Sequence, residues 1–224
     1  TKRDHYKFQD KKLKAFWLEP PENKENSSAH VSPKIFVSEL ETEYFSPDFQ
    51  KTIKKYTDNI SASPLEFIKQ LLRDKNEQEE NSKLVTAVSS FLTHGPQWQR
   101  PTYSDYELLL KESEYAAWTL VFGNIANHFT VSVHLMKNFQ TLAHLNQFIE
   151  EELKLPLNTS GGKIKGSKDV LLEQSSTLAA THTIQFQDRV EKLPYAFIEF
   201  AYRYPLNENH GKKELCWQDY YQGF

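Results

Sequence analysis

From Asn127 to Leu135 the side chains alternate in character at every step. His128, Thr130, Ser132 and His134 are polar, while Phe129, Val131, Val133 and Leu135 are apolar. An extended strand sends alternate side chains to opposite faces, so this spacing predicts a strand with one face for packing against helices and one polar face. Two imidazoles and two hydroxyls backed by an apolar row suit a concave, hydrated pocket better than open solvent. His128 is therefore a candidate ligand or catalytic group, the plainer alternative being a hydrogen-bonded structural histidine.

A second stretch has the same two-faced pattern. Over 194–204, Tyr195, Phe197, Glu199, Ala201 and Arg203 share one face, and Ala196, Ile198, Phe200, Tyr202 and Tyr204 the other. Glu199 stands in the middle of the most hydrophobic strand of the chain, where an ionised carboxylate is expensive unless it is paired or binds a metal. Arg203 is the plain partner, but at ~3.3 Å rise per residue their Cα atoms lie ~13 Å apart, and the two pair only by leaning together. Glu199 ranks above His128 as a site residue.

The rest of the chain reads as support. Strands are predicted at 11–18, stopped by Pro20-Pro21, and at 33–40, where Ile35, Val37 and Glu39 share a face; the polar stretch 22–30 between them is a surface loop. Glu39 is read as a solvated strand-end carboxylate, with a site role as the alternative. Helix starts are marked by Ser46-Pro47-Asp48 and by capping boxes at Ser63-Pro64-Leu65-Glu66 and Ser104-Asp105-Tyr106-Glu107, and a further helix grows out of the acidic run 77–80. Trp98 sits in a connector where packing can use it, and His94 is read as structural. After the central strand, Asn138 is expected to cap a helix with Leu142, Leu145, Ile149 and Leu153 on one face, ended by Pro156. The loop 160–167 holds three of the seven glycines. It lacks the Walker spacing and is read either as a turn or as a loop lying close to a bound small molecule. A short polar-centred segment at 171–180 and a strand at 181–187 lead to the last strand.

Composition excludes several classes. With 38% hydrophobic and 13% aromatic residues, the 224-residue chain is globular. Its 27 Lys and Arg against 30 Asp and Glu give a net charge of -3, with no electrostatic case for nucleic acid or a membrane surface as partner. No apolar run approaches the ~20 residues that span a bilayer. The single cysteine, Cys216, allows neither an intrachain disulfide nor a thiolate metal cluster, so a reducing, cytoplasmic setting is expected, with an organelle as the alternative if a targeting segment has been removed. Beginning on Thr1, the sequence is expected to be a piece of a longer product.

The elements add up to an α+β fold: a pair of βαβββ modules curling into a half-barrel, with a helical insertion between them. The expected division is 1–45 for the remainder of the first module, 46–122 for the insertion, 123–205 for the second module and 206–224 for a C-terminal extension, all in one compact domain. Ligands from first and last strands then meet at one point. One carboxylate with two histidines is the facial triad of non-haem Fe(II) oxygenases, which leaves positions open for substrate and dioxygen.

Five stretches carry a more specific likeness: 12–20, 33–40, 126–130 (Ala-Asn-His-Phe-Thr), 161–167 with Gln174-Ser175-Ser176-Thr177, and 194–203. In order and together they resemble the 2-oxoadipate dioxygenase/decarboxylase family of the vicinal oxygen chelate superfamily. The resemblance implies an Fe(II)-dependent enzyme of lysine breakdown that takes a 2-oxo diacid such as 2-oxoadipate, with dioxygen, to a 2-hydroxy acid (2-hydroxyglutarate) and carbon dioxide. It makes His128 and Glu199 two of the metal ligands. The family's first ligand, a His in an Asp-His-hydrophobic-Ala-Phe-Arg segment, falls upstream of Thr1; Asp4-His5 is followed by Tyr-Lys-Phe and does not match it. Arg203, Lys165 and Ser167 are the candidates for holding the far carboxylate of the diacid, Arg being best suited to bidentate recognition. Two other readings remain: a metal-deficient binding or structural module, and an isomerase or lyase using other metal chemistry on the same fold.

Overall fold

The computed structural model describes residues 2–19, 33–60, 66, 68–70, 73 and 79–206. The expected loop 22–30, the capping box at Ser63, residues 77 and 78 of the acidic run and the extension beyond 206 with Cys216 lie outside the described residues. The described residues fall into two compact units, one within 2–19, 33–126 and 182–193, the other within 127–181 and 194–206.

In the first unit, β1 (Lys2–Phe8), β2 (Leu13–Leu18) and β3 (Ile35–Leu40) form an antiparallel meander in that order. β2 and β3 match the strands expected from sequence. β1 is an addition, since the charged residues at 2–4 and 7 obscure its alternation in the sequence. The middle strand buries Leu13, Ala15 and Trp17. α1 (Pro47–Thr57) starts as expected, the Ser46 hydroxyl accepting from the Phe49 N–H at 3.2 Å with Pro47 at the first position. α2 (Glu79–Thr93), α3 (Tyr103–Leu110) and α4 (Glu114–Phe122) follow. Thr102, not Ser104, caps α3: it has the extended backbone of a cap and accepts from the Asp105 N–H at 3.2 Å. The sequence does not separate α4 from α3, because the turn at Lys111-Glu112 carries no Gly or Pro; the Ser113 hydroxyl caps α4. Phe45 and Phe49 stack at 4.2 Å and bury with Tyr56, Leu109, Ala116 and Leu120, and the Trp98 indole donates to the Leu120 carbonyl at 2.8 Å.

α1 and α3 are tied by one carboxylate. The Tyr56 hydroxyl and the Lys55 ammonium both donate to Asp105 Oδ2, each at 2.5 Å. Burial pushes the Asp105 carboxyl up, but the hydrogen bonds from Lys55, Tyr56 and Thr102 outweigh it and hold the group below its usual range. A depressed folded pKa gives stability that is complete above the unfolded value of about 4 and lost as pH falls through the folded value. Asp105→Asn is therefore expected to lower stability by about 1–2 kcal/mol at pH 7 and by much less near pH 3, measured by urea unfolding at the two pH values.

The second unit is one βαβββ module. β4 (His128–Ser132) leads to α5 (Leu142–Glu151), then β5 (Lys165–Ser167) and β6 (Leu172–Ser176). The chain then leaves for a hairpin, β7 (Thr181–Gln185) and β8 (Val190–Pro194), and returns as β9 (Phe197–Arg203). The sheet order is β4-β9-β6-β5, with β4 parallel to β9 and the other pairs antiparallel. Within the expected span 123–205, the hairpin, over residues 182–193, groups with the first unit. Its tip packs in the first unit, where Phe186 is fully buried and meets Tyr103 edge-on at 5.2 Å, and Asp188 accepts from the Tyr103 N–H at 2.9 Å.

α5 covers the apolar face of the module through Leu142, Leu145 and Ile149, against Val133 and Phe200. Thr141 rather than Asn138 caps it, accepting from the His144 N–H at 3.1 Å, and it ends at Glu151, so Leu153 is exposed instead of joining the buried face. A buried bond from the Ser175 hydroxyl to Asn146 Oδ1, 2.7 Å, pins helix to sheet. No helix among the described residues is long and apolar enough to cross a membrane.

Candidate metal and substrate site

Strand register decides which side chains share a face. In the parallel pair, His128 opposes Phe197, Thr130 opposes Glu199 and Ser132 opposes Ala201. On the other side of β9, Ser176 opposes Glu199, Gln174 opposes Ala201 and Leu172 opposes Arg203. β5 continues the rows, Lys165 beside Gln174 and Ser167 beside Leu172. Opposed residues point the same way, so His128, Glu199, Arg203, Lys165 and Ser167 all belong to one face of one sheet, opposite the face under α5.

His128 is exposed at the end of this face. Its ring lies flat on Phe197, with centroids 4.7 Å apart and planes 10° from parallel, and Nδ1 is 3.2 Å from Asn127 Oδ1. Glu199, one row further along, is half-buried, and its Oε1 accepts from the Thr130 hydroxyl at 3.1 Å. An imidazole and a carboxylate on adjacent rows of neighbouring strands are the right donor types for a divalent transition metal. They fit two of the three positions of a facial triad. Among the described residues no group of three or more His, Cys, Asp or Glu converges in a way that could hold a metal ion. Glu39 does not contribute in this sheet: it belongs to β3 of the first unit and is ion-paired with Lys14 at 3.1 Å, the solvated strand-end carboxylate of the plainer alternative. His5, on β1, is exposed in that same unit.

Arg203 is buried, at 4% exposure, three rows along from His128. Lys165 is exposed and Ser167 half-buried on the far edge strand. The predicted strand 127–135 is shorter than expected, and His134 leaves the alternation: the chain turns into a single 3-10 turn over Val133–Leu135. The His134 ring then takes the bond that the strand's next carbonyl would have made, Nδ1 accepting from the Arg203 N–H at 3.3 Å. Burial, with the Arg203 charge second, lowers its pKa from 6.5 to about 4. An unfolded chain therefore takes up this proton first, so the stability is complete above about pH 6.5 and lost as pH falls toward 4. Between pH 7.5 and 5 the protein is expected to lose roughly 1–2 kcal/mol more than its His134→Gln variant, by denaturant titration.

Thr130, Asn127, Phe197 and Ser176 are neighbours of His128 and Glu199 to which the sequence reading gives no role of their own. Their signal is register, and the pairing of β4 with β9 joins segments far apart in the chain. A groove of about 610 Å³ runs along α2 in the first unit, lined by Lys83, Thr86, Ser90, Phe91 and His94 among others. His94 Nδ1 lies 2.9 Å from the Ser90 carbonyl and 3.1 Å from its hydroxyl, in line with its structural reading.

A family model described as 2-oxoadipate dioxygenase/decarboxylase matches residues 1–216. The chain is 40% identical over 216 residues to a chloroplastic 2-oxoadipate dioxygenase/decarboxylase of Arabidopsis thaliana, an alignment covering 92% of this chain and 52% of that protein. It spans about half the length of the curated relatives it matches. Its structure is similar to that of the hydroxyglutarate synthase from Oryza sativa in complex with 2-oxoadipate, with a TM-score of 0.78 and 33% identity, covering 100% of this chain and 67% of that one. In fold alone it is also similar to a glyoxalase superfamily protein from Ralstonia eutropha JMP134, with a TM-score of 0.67 at 23% identity over 91% of this chain and 62% of that one. The architecture is thus α+β and of the vicinal-oxygen-chelate kind, as expected from the sequence.

Proposed function

The chain belongs to the 2-oxoadipate dioxygenase/decarboxylase family, and from that premise we propose that it is part of an Fe(II)-dependent enzyme that converts a 2-oxo diacid such as 2-oxoadipate, with dioxygen, to 2-hydroxyglutarate and carbon dioxide. The observation that carries the proposal is the adjacency of His128 and Glu199 on one polar sheet face. When bound, Fe(II) would supply a centre that binds the 2-oxo acid and dioxygen side by side and activates both. His128 and Glu199 would hold it, together with a donor outside the described residues. A chain extended upstream through an Asp-His segment is accordingly expected to bind Fe(II) more tightly than residues 1–224; equal affinity would mean that another residue completes the set.

The residues of the face divide the remaining work. Arg203 or Lys165 would balance the far carboxylate, with the Ser167 hydroxyl as a further donor. From Glu199, Arg203 is two rows along the same strand, and Lys165 is two strands across, roughly 10 Å at ~4.8 Å per strand. Either side chain is long enough to lean toward a six-carbon diacid. A charge-assisted pair at a buried guanidinium loses about 2–5 kcal/mol when one partner is removed. Arg203→Lys in the complete protein is therefore expected to raise the KM for 2-oxoadipate at least tenfold, with metal content intact and 2-oxo monoacids unaffected. An unchanged diacid preference would take Arg203 out of the site. An organelle setting is supported by the chloroplastic description of the Arabidopsis relative.

The direct test is oxygen consumption by the complete protein loaded with Fe(II). One dioxygen used, one carbon dioxide released and one 2-hydroxyglutarate formed per 2-oxoadipate supports the proposal. Metal binding without oxygen uptake would favour isomerase or lyase chemistry, and no metal binding would favour a binding module.

A further inference from the structure

We propose that Thr130 is the positioning residue of the metal site, holding one oxygen of Glu199 so that the ion takes the carboxylate through the other oxygen alone. The inference rests on the reading of His128 and Glu199 as metal donors. Thr130 and Glu199 are directly opposed in the β4–β9 ladder, and the Thr130 hydroxyl donates to Oε1 at 3.1 Å. Two paired strands set this contact, so its geometry is fixed by backbone hydrogen bonds rather than by a loop. Threonine adds stiffness of its own, since branching at Cβ restricts χ1.

The other donor is restrained in a matching way. Phe197, opposite His128 in the same ladder, stacks on its ring, and Nδ1 faces Asn127 Oδ1 at 3.2 Å. An Nδ1–H donating to the Asn127 carbonyl leaves Nε2 with the ligating lone pair. Each side chain thus offers one atom, Nε2 from His128 and Oε2 from Glu199. A carboxylate bound through both oxygens would take two coordination positions. Bound through Oε2 alone it takes one, which spares a position for a substrate that itself binds through two oxygens. Outer-shell partners of this kind are typically worth 10- to 100-fold in metal affinity.

Thr130→Val keeps the branching and removes the hydroxyl; Thr130→Ser keeps the hydroxyl. Co(II) is the probe, its dissociation constant read by competition with a chromophoric chelator and its ligand number by visible absorption, in the complete protein. Thr130→Val is expected to weaken Co(II) roughly 10- to 100-fold and to change the absorption band, Thr130→Ser to restore both. In a Glu199→Asp background, where the shorter side chain is out of reach of the hydroxyl, Thr130→Val should have no further effect. Because valine is present in both arms, the difference between the two losses isolates the contact with Glu199 from any effect of valine on the fold. Wild-type affinity and spectrum in Thr130→Val, or an equal further loss in the Glu199→Asp background, overturns the positioning role. If instead the wild-type protein binds no Co(II), or Glu199→Ala binds it unchanged, the metal reading itself falls, and this is a separate result.

Discussion

Glu199→Ala and His128→Ala are each expected to lower Fe(II) or Co(II) affinity by about 100-fold or more while leaving the fold intact. The reasoning is one of donor count. On the reading proposed above, His128 and Glu199 would be the two donors on this face, so deleting either would halve what the sheet offers the ion and leave more of its positions to water and chelators. The fold should survive because neither side chain belongs to the buried core of the module, which is made by Val133, Leu142, Leu145, Ile149, Leu157 and Phe200 on the other face of the sheet. Loss of His128 removes a stacking partner of Phe197 and costs about 1 kcal/mol or less. Glu199→Gln separates charge from shape: it can still accept from Thr130, but it lacks the negative charge that favours a divalent ion. Metal analysis of the purified variants, beside their thermal unfolding, makes the measurement. Undiminished occupancy in both alanine variants would remove the site from this face.

The two-faced character of β4 and β9 is legible because it is local: alternation at a period of two is written in consecutive residues, and Phe200, on the apolar row of β9, is buried under α5 as that pattern requires. Which position of β4 meets which position of β9 is not local. Thr130 opposes Glu199 although α5, β5, β6 and the hairpin all lie between them in the chain, and no spacing rule spans that distance. The reading of His134 as a pocket residue shows a second limit. Alternation continues through Leu135 in the sequence, but β4 ends at Ser132, and the ring serves the Arg203 backbone instead. Of the hairpin, β7 is legible as extended chain, but β8 and the departure from the module are not. Its placement depends on Phe186 finding Tyr103 and Tyr106, an aromatic contact whose partners lie in the helical region. Helix caps fall between these cases. Ser46 is unambiguous beside Pro47, whereas Thr102 and Ser104 both stand before a turn with an acidic residue, and backbone conformation chooses between them.

Gly166→Ala is expected to destabilise the protein by about 3 kcal/mol, whereas Gly161→Ala, a few residues away, should cost about 1. Both glycines have positive φ, +80° at Gly166 and +73° at Gly161, so both substitutions meet the ordinary penalty of a side chain in the left-handed region, about 1–2 kcal/mol. They differ in what a new methyl group would meet. At Gly161 the nearest atom is the flexible Lys165 Cε at 3.7 Å, an ordinary contact. At Gly166 it is the Leu172 carbonyl oxygen at 2.1 Å, part of the backbone of β6, so the β5–β6 pairing itself must shift. That adds an overpacking term of about 1–3 kcal/mol. The contrast separates the two sequence readings of the glycine-rich loop, a turn or a loop lying close to a bound small molecule. If Gly166 serves strand pairing, Gly166→Ala loses stability with or without substrate, and Lys165 and Ser167 lose their places on the polar face with it. Urea unfolding of the two variants with and without 2-oxoadipate makes the comparison. Near-wild-type stability of Gly166→Ala together with a selective loss of 2-oxoadipate binding would assign the glycine to the ligand instead of the sheet.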